Sequence, residues 1–401
     1  MRCLAPDGAC VVPQARRASD IPGAHKETLG KPRIIRKWTW GRSWRTVEDM
    51  DLPLAEATRA EFTHSTTYLN TATCAILPRS AVIAVRELAE AAGAGIPAGF
   101  GDFDRVNRVR DAFARLVGVA SQRVAVGSAV ATHVGLVAAS LPTGAEVLCP
   151  EGEFASVINP FVVRGDLKVR FAPLESMAEA VGGDTALVAL SVVQSADGRT
   201  ADLASVREAA AGSGARMLVD ATQAVGWLPF DASPYAYTVT AGYKWLLGSR
   251  GASYLTVSEE AQGTLTPLHA GWVAAESMWD ATYGPMPELA HGARRFDESP
   301  AFLAYHAAAA SLDLLERIGI EAIHAHDTAL AARYRAGLAR LGHDPVPGES
   351  PIVSVPGLAH RQPALLAAGI ATAARAGALR ASFHLYNTEA DVDRLLNALS
   401  D

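Results

Sequence analysis

From Ser121 onward, short continuous apolar runs alternate with stretches of helical periodicity, and no other feature constrains the fold as much. The runs are RVAVGS (123–128), AEVLCP (145–150), KVRFAPL (168–174), TALVALSVV (185–193), ARMLVDA (215–221), YTVTAG (237–242) and ASYLTV (252–257). Helical patterns such as ATHVGLVAASL (131–141) and LASVREAAAGSG (203–214) lie between them. Strands alternating with helices predict an α/β fold, a mainly parallel sheet covered by helices. The runs are β-branched and unbroken, as strands buried on both faces must be. After Pro300 the texture changes. Residues 303–342 read as a long helical region broken near Gly319, followed by a strand over LRASFHLY (379–386) and a helix over TEADVDRLLNALS (388–400). The expectation is a large α/β domain over residues 51–300, whose first part is free to join its neighbour, and a small α+β domain over 301–401.

Charge is unevenly spread. Residues 1–50 hold ten Lys and Arg against five Asp and Glu, and the remainder holds 26 against 37. The first fifty residues have no hydrophobic period and read as a loose basic extension. It is either disordered or upstream sequence with Met50 as the natural start, and a docking arm is the third reading. The net charge of −6 argues against a nucleic-acid partner. That holds even for the basic stretch carrying Trp38, Trp40 and Trp44. No apolar run approaches the ~20 residues that span a bilayer, so no membrane contact is expected. Of four cysteines, Cys3, Cys10, Cys74 and Cys149, two fall in the first ten residues, so there is no disulfide framework. A cytoplasmic setting follows as the expectation. His324 and His326 are two apart on a helix and make a poor metal pair, and no metal site is expected.

In open parallel sheets, ligands sit at the carboxyl ends of the strands. The chain has only five lysines, Lys26, Lys31, Lys37, Lys168 and Lys244, and leaves nearly all other positive charge to Arg. Lys244 follows a strand and precedes Trp245, Leu246 and Leu247. An apolar setting lowers an amine's pKa and favours its nucleophilic form; alone, such a lysine is as well explained by snorkelling from a strand end. Asp220 changes the balance. It ends the strand MLVD, twenty-four residues earlier. One amine and one carboxylate, each just after a buried strand, is what pyridoxal phosphate requires: the amine holds the aldehyde, and the carboxylate keeps the pyridine nitrogen protonated. A helix N-cap would explain Asp220 alone but not the pair.

With VDATQAVGW followed by AGYKWLLGSRGASYL, the chain resembles the aminotransferase class V, or cysteine-desulfurase-like, group of fold-type I pyridoxal-phosphate enzymes. The resemblance runs over roughly residues 67–400, from YLNTATCAILP to the last helix, and includes RASFHLYNTEADVDRL (380–395). It implies Lys244 as the Schiff-base lysine, Asp220 as the pyridinium partner and Gln223 as the partner of the ring hydroxyl oxygen. Phe154 falls where the family places an aromatic over the ring, with core packing as the plainer reading. The turn into the helix after Gly127 implies a phosphate site. There Ala129 and Val130 replace the family's Gly-x-Thr flavour. Backbone N–H groups of Val130 and Ala131 would supply most contacts, with Thr132 as a side-chain donor. Thr240 is another candidate donor, while Ala241 stands where the family often has Ser. Ser299, in RRFDESP, matches a hydroxyl that reaches the neighbouring subunit's phosphate, which implies a homodimer with shared active sites. Arg380 matches the arginine that grips the substrate carboxylate. On an ideal strand Arg380, Ser382, His384 and Tyr386 share one face. Asn70, Thr71 and Trp272 are candidates for lining the pocket.

The expected function is a pyridoxal-phosphate enzyme acting on a small amino acid, as an aminotransferase or a C–S (β-elimination) lyase. A standard persulfide-forming cysteine desulfurase is not expected, because residues 365–379 contain no Cys and Tyr243 replaces the usual His before the lysine. An epimerase of the isopenicillin-N-epimerase type is one alternative. A non-catalytic binding or regulatory module is another, but it has no need of Lys244, Asp220, Gln223 and Arg380 together. A nicotinamide enzyme is set aside, since no Gly-x-Gly-x-x-Gly follows a strand.

Overall fold

The computed structural model describes residues 54–97 and 101–400. The basic extension over 1–50, with its three tryptophans, lies outside the described residues. The strands are β1 (Thr67–Tyr68), β2 (Val124–Gly127), β3 (Glu146–Pro150), β4 (Lys168–Ala172), β5 (Thr185–Ser191) and β6 (Arg216–Asp220). They continue with β7 (Tyr237–Ala241), β8 (Ser253–Val257), β9 (Ile352–Pro356), β10 (Ile370–Ala371), β11 (Ala373–Arg375) and β12 (Ala378–Ser382). The helices are α1 (Leu54–Glu61), α2 (Arg79–Gly93), α3 (Phe103–Leu116), α4 (Val130–Ser140), α5 (Ala155–Val162) and α6 (Met177–Ala180). After these come α7 (Leu203–Ser213), α8 (Glu259–Gln262), α9 (Phe302–Ile318), α10 (Ile320–Arg340), α11 (Gln362–Ala367) and α12 (Glu389–Ser400).

The seven apolar runs form one sheet in the order β2-β8-β7-β6-β5-β3-β4. The pairs from β7 through β4 are parallel, while β8 runs antiparallel to both β7 and β2. The unbroken hydrophobicity has a direct cause. Successive strand side chains point to opposite faces, and both faces are covered. Val124, Val126, Leu148, Val188, Leu190 and Val219 enter one core. Ala125, Val147, Cys149, Leu187, Ala189 and Leu218 enter the other. The fold is the expected α/β arrangement, a mainly parallel sheet between helices.

Beyond α9 the chain breaks at Gly319, whose φ of +86° is costly for a residue with a Cβ. A three-stranded antiparallel sheet, β11-β12-β9, then packs on α10 and α12 through Tyr334, Leu338, Val353, Leu379, Phe383 and Leu395. The strand expected over 379–386 ends early, at Ser382. The Phe383 N–H bonds Pro351 O, and Asn387 then closes a turn, its side chain accepting from His384 N while its own N–H bonds His384 O. The alternation of faces therefore stops: Ala381 and Phe383 stay in this core, but Leu385 and Tyr386 both join the large one. β1 pairs in parallel with β10, so residues 67–68 join the C-terminal part of the chain.

A buried ion pair fixes the loop that follows residue 294. The guanidinium of Arg110, on α3, donates to both oxygens of Asp297 at 2.6 and 3.1 Å and to the carbonyl of Val124 at 2.6 Å. Asp297 also accepts from Val126 N at 2.9 Å. Asp297→Ala leaves a buried cation unpaired, and the expected cost is about 3–5 kcal/mol of stability, read by denaturant unfolding. Among the described residues no helix is long and apolar enough to cross a membrane.

Candidate active site

The carboxyl ends of the parallel strands open into a cavity of about 340 Å³. Its lining includes Asp220, Gln223, Lys244, Phe154, Val130 and Ala131, together with Ser128, Ser191, Ser195, Thr222, Tyr243 and Arg250. Two turns are tied together beneath it. Asp220, 4% exposed, leaves β6 and accepts from Thr222 N at 2.8 Å, while the Thr222 hydroxyl accepts from Ala241 N at the end of β7. The depth of the aspartate is therefore set by the same hydrogen bonds that launch the lysine turn.

Lys244 is 5% exposed and rests against aromatic faces, its Nζ 5.2 Å from the Phe154 ring centre and 5.7 Å from that of Tyr243. Burial pulls its amine down from 10.5 to about 8, with Asp220 opposing and the charges of Arg380 and Arg250 assisting. Burial pushes the Asp220 carboxyl up to about 6, against the Thr222 hydrogen bonds and the charge of Lys244. The amine is thus nearer its neutral form than an ordinary lysine, and the carboxylate remains ionised at neutral pH.

Phe154 precedes the first residue of α5 and is 43% exposed, so it is not packed in the core; it walls the cavity beside Lys244. The Gln223 amide donates to Ala72 O at 2.9 Å and accepts from Trp245 Nε1 at 2.7 Å, which leaves one N–H for a ligand. Val130 opens α4, and its N-terminus has no side-chain cap. Arg380 is 2% exposed. It donates to Thr73 Oγ1 at 2.7 Å and to Ser195 O, and its Nε is buried with no partner. No carboxylate of the described residues pairs with it, and burial, with Arg375 assisting, depresses it to about 10.

Other candidates lie elsewhere. Thr132 is half-buried as the third residue of α4 and outside the cavity lining. Thr240 is fully buried within β7, its hydroxyl without a partner. Ser299 is exposed on the loop that Asp297 anchors. Trp272 belongs to an aromatic cluster with Phe103 and Trp279, at 5.4 and 5.2 Å, and not to this cavity. Asn70 makes a backbone bridge to Ser382, with Oδ1 buried and unpartnered, and the Thr71 hydroxyl meets Tyr386 OH at 2.5 Å.

Several supporting residues had no local signal in the sequence. Glu153 is buried and accepts from Ser191 N, Ser191 Oγ and Gln194 Nε2, clamping the ends of β3 and β5. His384 lies between Asp327 Oδ2, at 2.8 Å, and the carbonyl of Trp245, at 3.1 Å, and so braces the residue after the lysine. Ala75 N bonds Tyr243 O, bringing the 67–75 segment against the lysine turn.

The donor set fits pyridoxal phosphate: a buried amine of lowered pKa, a buried carboxylate, an exposed aromatic wall and an uncapped helix N-terminus line one cavity. Comparison with known proteins agrees. The family described as Aminotransferase class-V matches residues 67–356. An uncharacterised aminotransferase of Bacillus subtilis (strain 168) is 29% identical over 241 residues, 57% of this chain and 64% of that protein. Isopenicillin N epimerase of Streptomyces clavuligerus is 28% identical over 336 residues, 73% of this chain and 83% of the relative. The solved structure of a cystine C–S lyase in complex with its reaction product, cysteine persulfide, matches with a TM-score of 0.75 at 25% identity, covering 84% of this chain and 98% of that one. The chain is a pyridoxal-phosphate-dependent enzyme and belongs to the aminotransferase class-V family.

Proposed function

We propose that this enzyme breaks the Cα–H bond of a small α-amino acid and goes on to transamination or to β-elimination of a sulfur substituent. The single observation that carries this reading is a buried amine tuned to about 8 in the cavity, close enough to feel the charge of the buried Arg380, which bonds Ser195 of the lining and which no carboxylate of the described residues neutralises. Pyridoxal phosphate, when bound, supplies an electrophilic aldehyde and a ring that takes up the electron pair left at Cα. Lys244 would hold the aldehyde carbon and is placed to carry a proton at Cα. Asp220 would keep a proton on the ring nitrogen. Gln223 would bond the ring through its remaining N–H. Phe154 would wall the ring side of the cavity. Arg380 takes the substrate carboxylate in a two-pronged contact through the guanidinium edge bearing Nε.

The geometry favours these reactions over epimerisation, the alternative suggested by the Streptomyces relative. Inverting Cα takes a proton carrier on each side. Besides Lys244, the titratable groups in the lining are Asp220, committed to the ring, Arg250, and Tyr243, the lysine's chain neighbour. A desulfurase is disfavoured because the segment leading to Arg380 has no thiol, and Cys149 is buried with its thiol pushed up to about 12. The exposed hydroxyl of Ser299 supports a homodimer in which that loop meets the partner's phosphate site.

The test is to incubate the enzyme with single amino acids in heavy water. Deuterium should enter at Cα without inversion, accompanied either by transfer of the amine to a 2-oxo acid or by release of ammonia and a thiol. Substantial racemisation would reassign the enzyme as an epimerase. Arg380→Ala should raise KM for the amino acid by roughly 10²-fold, the worth of a charged two-point contact. Binding of an amine that lacks the carboxylate should stay unchanged.

A further inference from the structure

A phosphate ester carries a charge of about −1.5 to −2 near neutral pH. A helix N-terminus offers the equivalent of roughly +0.5. The cradle at the start of α4 does little to close that gap. Ala129, Val130 and Ala131 bring no polar side chain, and Ser128 is already engaged, its N–H and hydroxyl both bonded to Glu298 Oε2 at 3.0 and 2.5 Å. Glu298 adds a negative charge where one more is due. His133 is no remedy: buried against Ser253, it is pushed down to about 4 and stays neutral. Lys244 is committed to the aldehyde, and Arg380 is held between Thr73 and Ser195.

One cation remains in the lining. β2 and β8 run antiparallel with Gly127 opposite Ser253. The residues that continue β2 outward, Ser128 to Val130, and those that lead back into β8, Arg250 to Ala252, therefore leave the sheet edge side by side. Arg250 lies over Tyr243, its guanidinium carbon 4.2 Å from the ring centre, and forms no ion pair with any described residue. The same ring carries Lys244 Nζ at 5.7 Å. A cation–π contact holds a guanidinium without consuming its N–H donors.

We propose that Arg250 is the counter-ion of the cofactor phosphate, closing on it from the turn before β8 while the N-terminus of α4 holds it from the other side. This rests on the assignment of the cavity to pyridoxal phosphate. Arg250 thereby supplies the charge that hydroxyl side chains do not supply here.

The test titrates the full-length, cofactor-free protein with pyridoxal phosphate and, separately, with pyridoxal, which has the aldehyde but no phosphate, and follows the visible absorption band. Arg250→Gln should weaken pyridoxal phosphate about 10–100-fold and leave pyridoxal unchanged. Arg250→Lys should fall between, keeping the charge but losing the fork. Inorganic phosphate should compete with pyridoxal phosphate in the parent and much less in the Gln variant. Unchanged affinity for pyridoxal phosphate in both variants overturns the proposal. Equal losses for both aldehydes also overturn it, because Arg250 would then be acting through Tyr243 on the lysine. A parent that forms no band with either aldehyde would instead overturn the cofactor assignment for this cavity, and this proposal with it.

Discussion

Replacing Lys244 with alanine is expected to abolish the visible band that the parent forms with pyridoxal phosphate and to lower turnover by at least on the order of 10²–10⁴-fold. Two functions disappear with one side chain, the covalent anchor and the carrier of the Cα proton. The parent itself gives a second, graded test. Only a neutral amine attacks an aldehyde. Because burial lowers the Lys244 pKa, the neutral form dominates above about 8 and not only above 10.5. In cofactor-free protein the rate of band formation should therefore climb with pH and level off near 8, as read by stopped-flow absorbance. A rate still climbing toward 10.5 would mean that the amine is not desolvated.

Asp220→Asn should cost on the order of 10²–10³-fold in turnover while leaving the band in place. Asparagine keeps the side-chain oxygen that accepts from Thr222 N. It removes the charge that holds a proton on the ring nitrogen, so electron withdrawal weakens while anchoring at Lys244 survives. The measurement is Cα–H exchange in heavy water, which should fall in step with turnover. The parent should lose activity along the same path as pH drops below about 6, where the raised pKa of Asp220 leaves it protonated. An Asn variant with full exchange activity would remove Asp220 from the mechanism.

The Lys244–Asp220 pair, which one cavity brings together, was legible because its positions are written in linear order. Each member follows a buried strand, and strand ends are the part of an α/β sheet that apolar runs reveal most clearly. Phe154 and Gln223 were legible through their distance along the chain from those strand ends. Trp272 lies outside this cavity, on the long stretch between β8 and α9, which has no period. Its course is set by contacts such as Phe103 on Trp272, which no local pattern announces. Thr132 lies one residue beyond Val130 and Ala131, which line the cavity. Glu153 and the Asp327–His384 pair were invisible for a different reason. Their partners are 38 and 57 residues away, and a buried carboxylate looks like a surface one until the fold covers it. Arg250 was hidden by composition, since nothing local separates it from the many other arginines of the chain.

The short segment from Tyr68 to Ala75 touches three parts of the cavity's surroundings at once. Ala72 O receives the Gln223 amide, Thr73 Oγ1 receives Arg380, and Ala75 N bonds Tyr243 O, beside Lys244. It is also moored at its start, where Leu69 N bonds Ala371 O in the C-terminal part of the chain. Four consecutive residues thus act as a tie-rod between the ring's clamp, the carboxylate's grip and the anchor. On the role proposed for Arg380, a carboxylate arriving there would compete with Thr73 Oγ1, one residue from the Gln223 contact and two from the Tyr243 contact. A single proteolytic nick within this strip would slacken all three at once while leaving every catalytic side chain chemically intact.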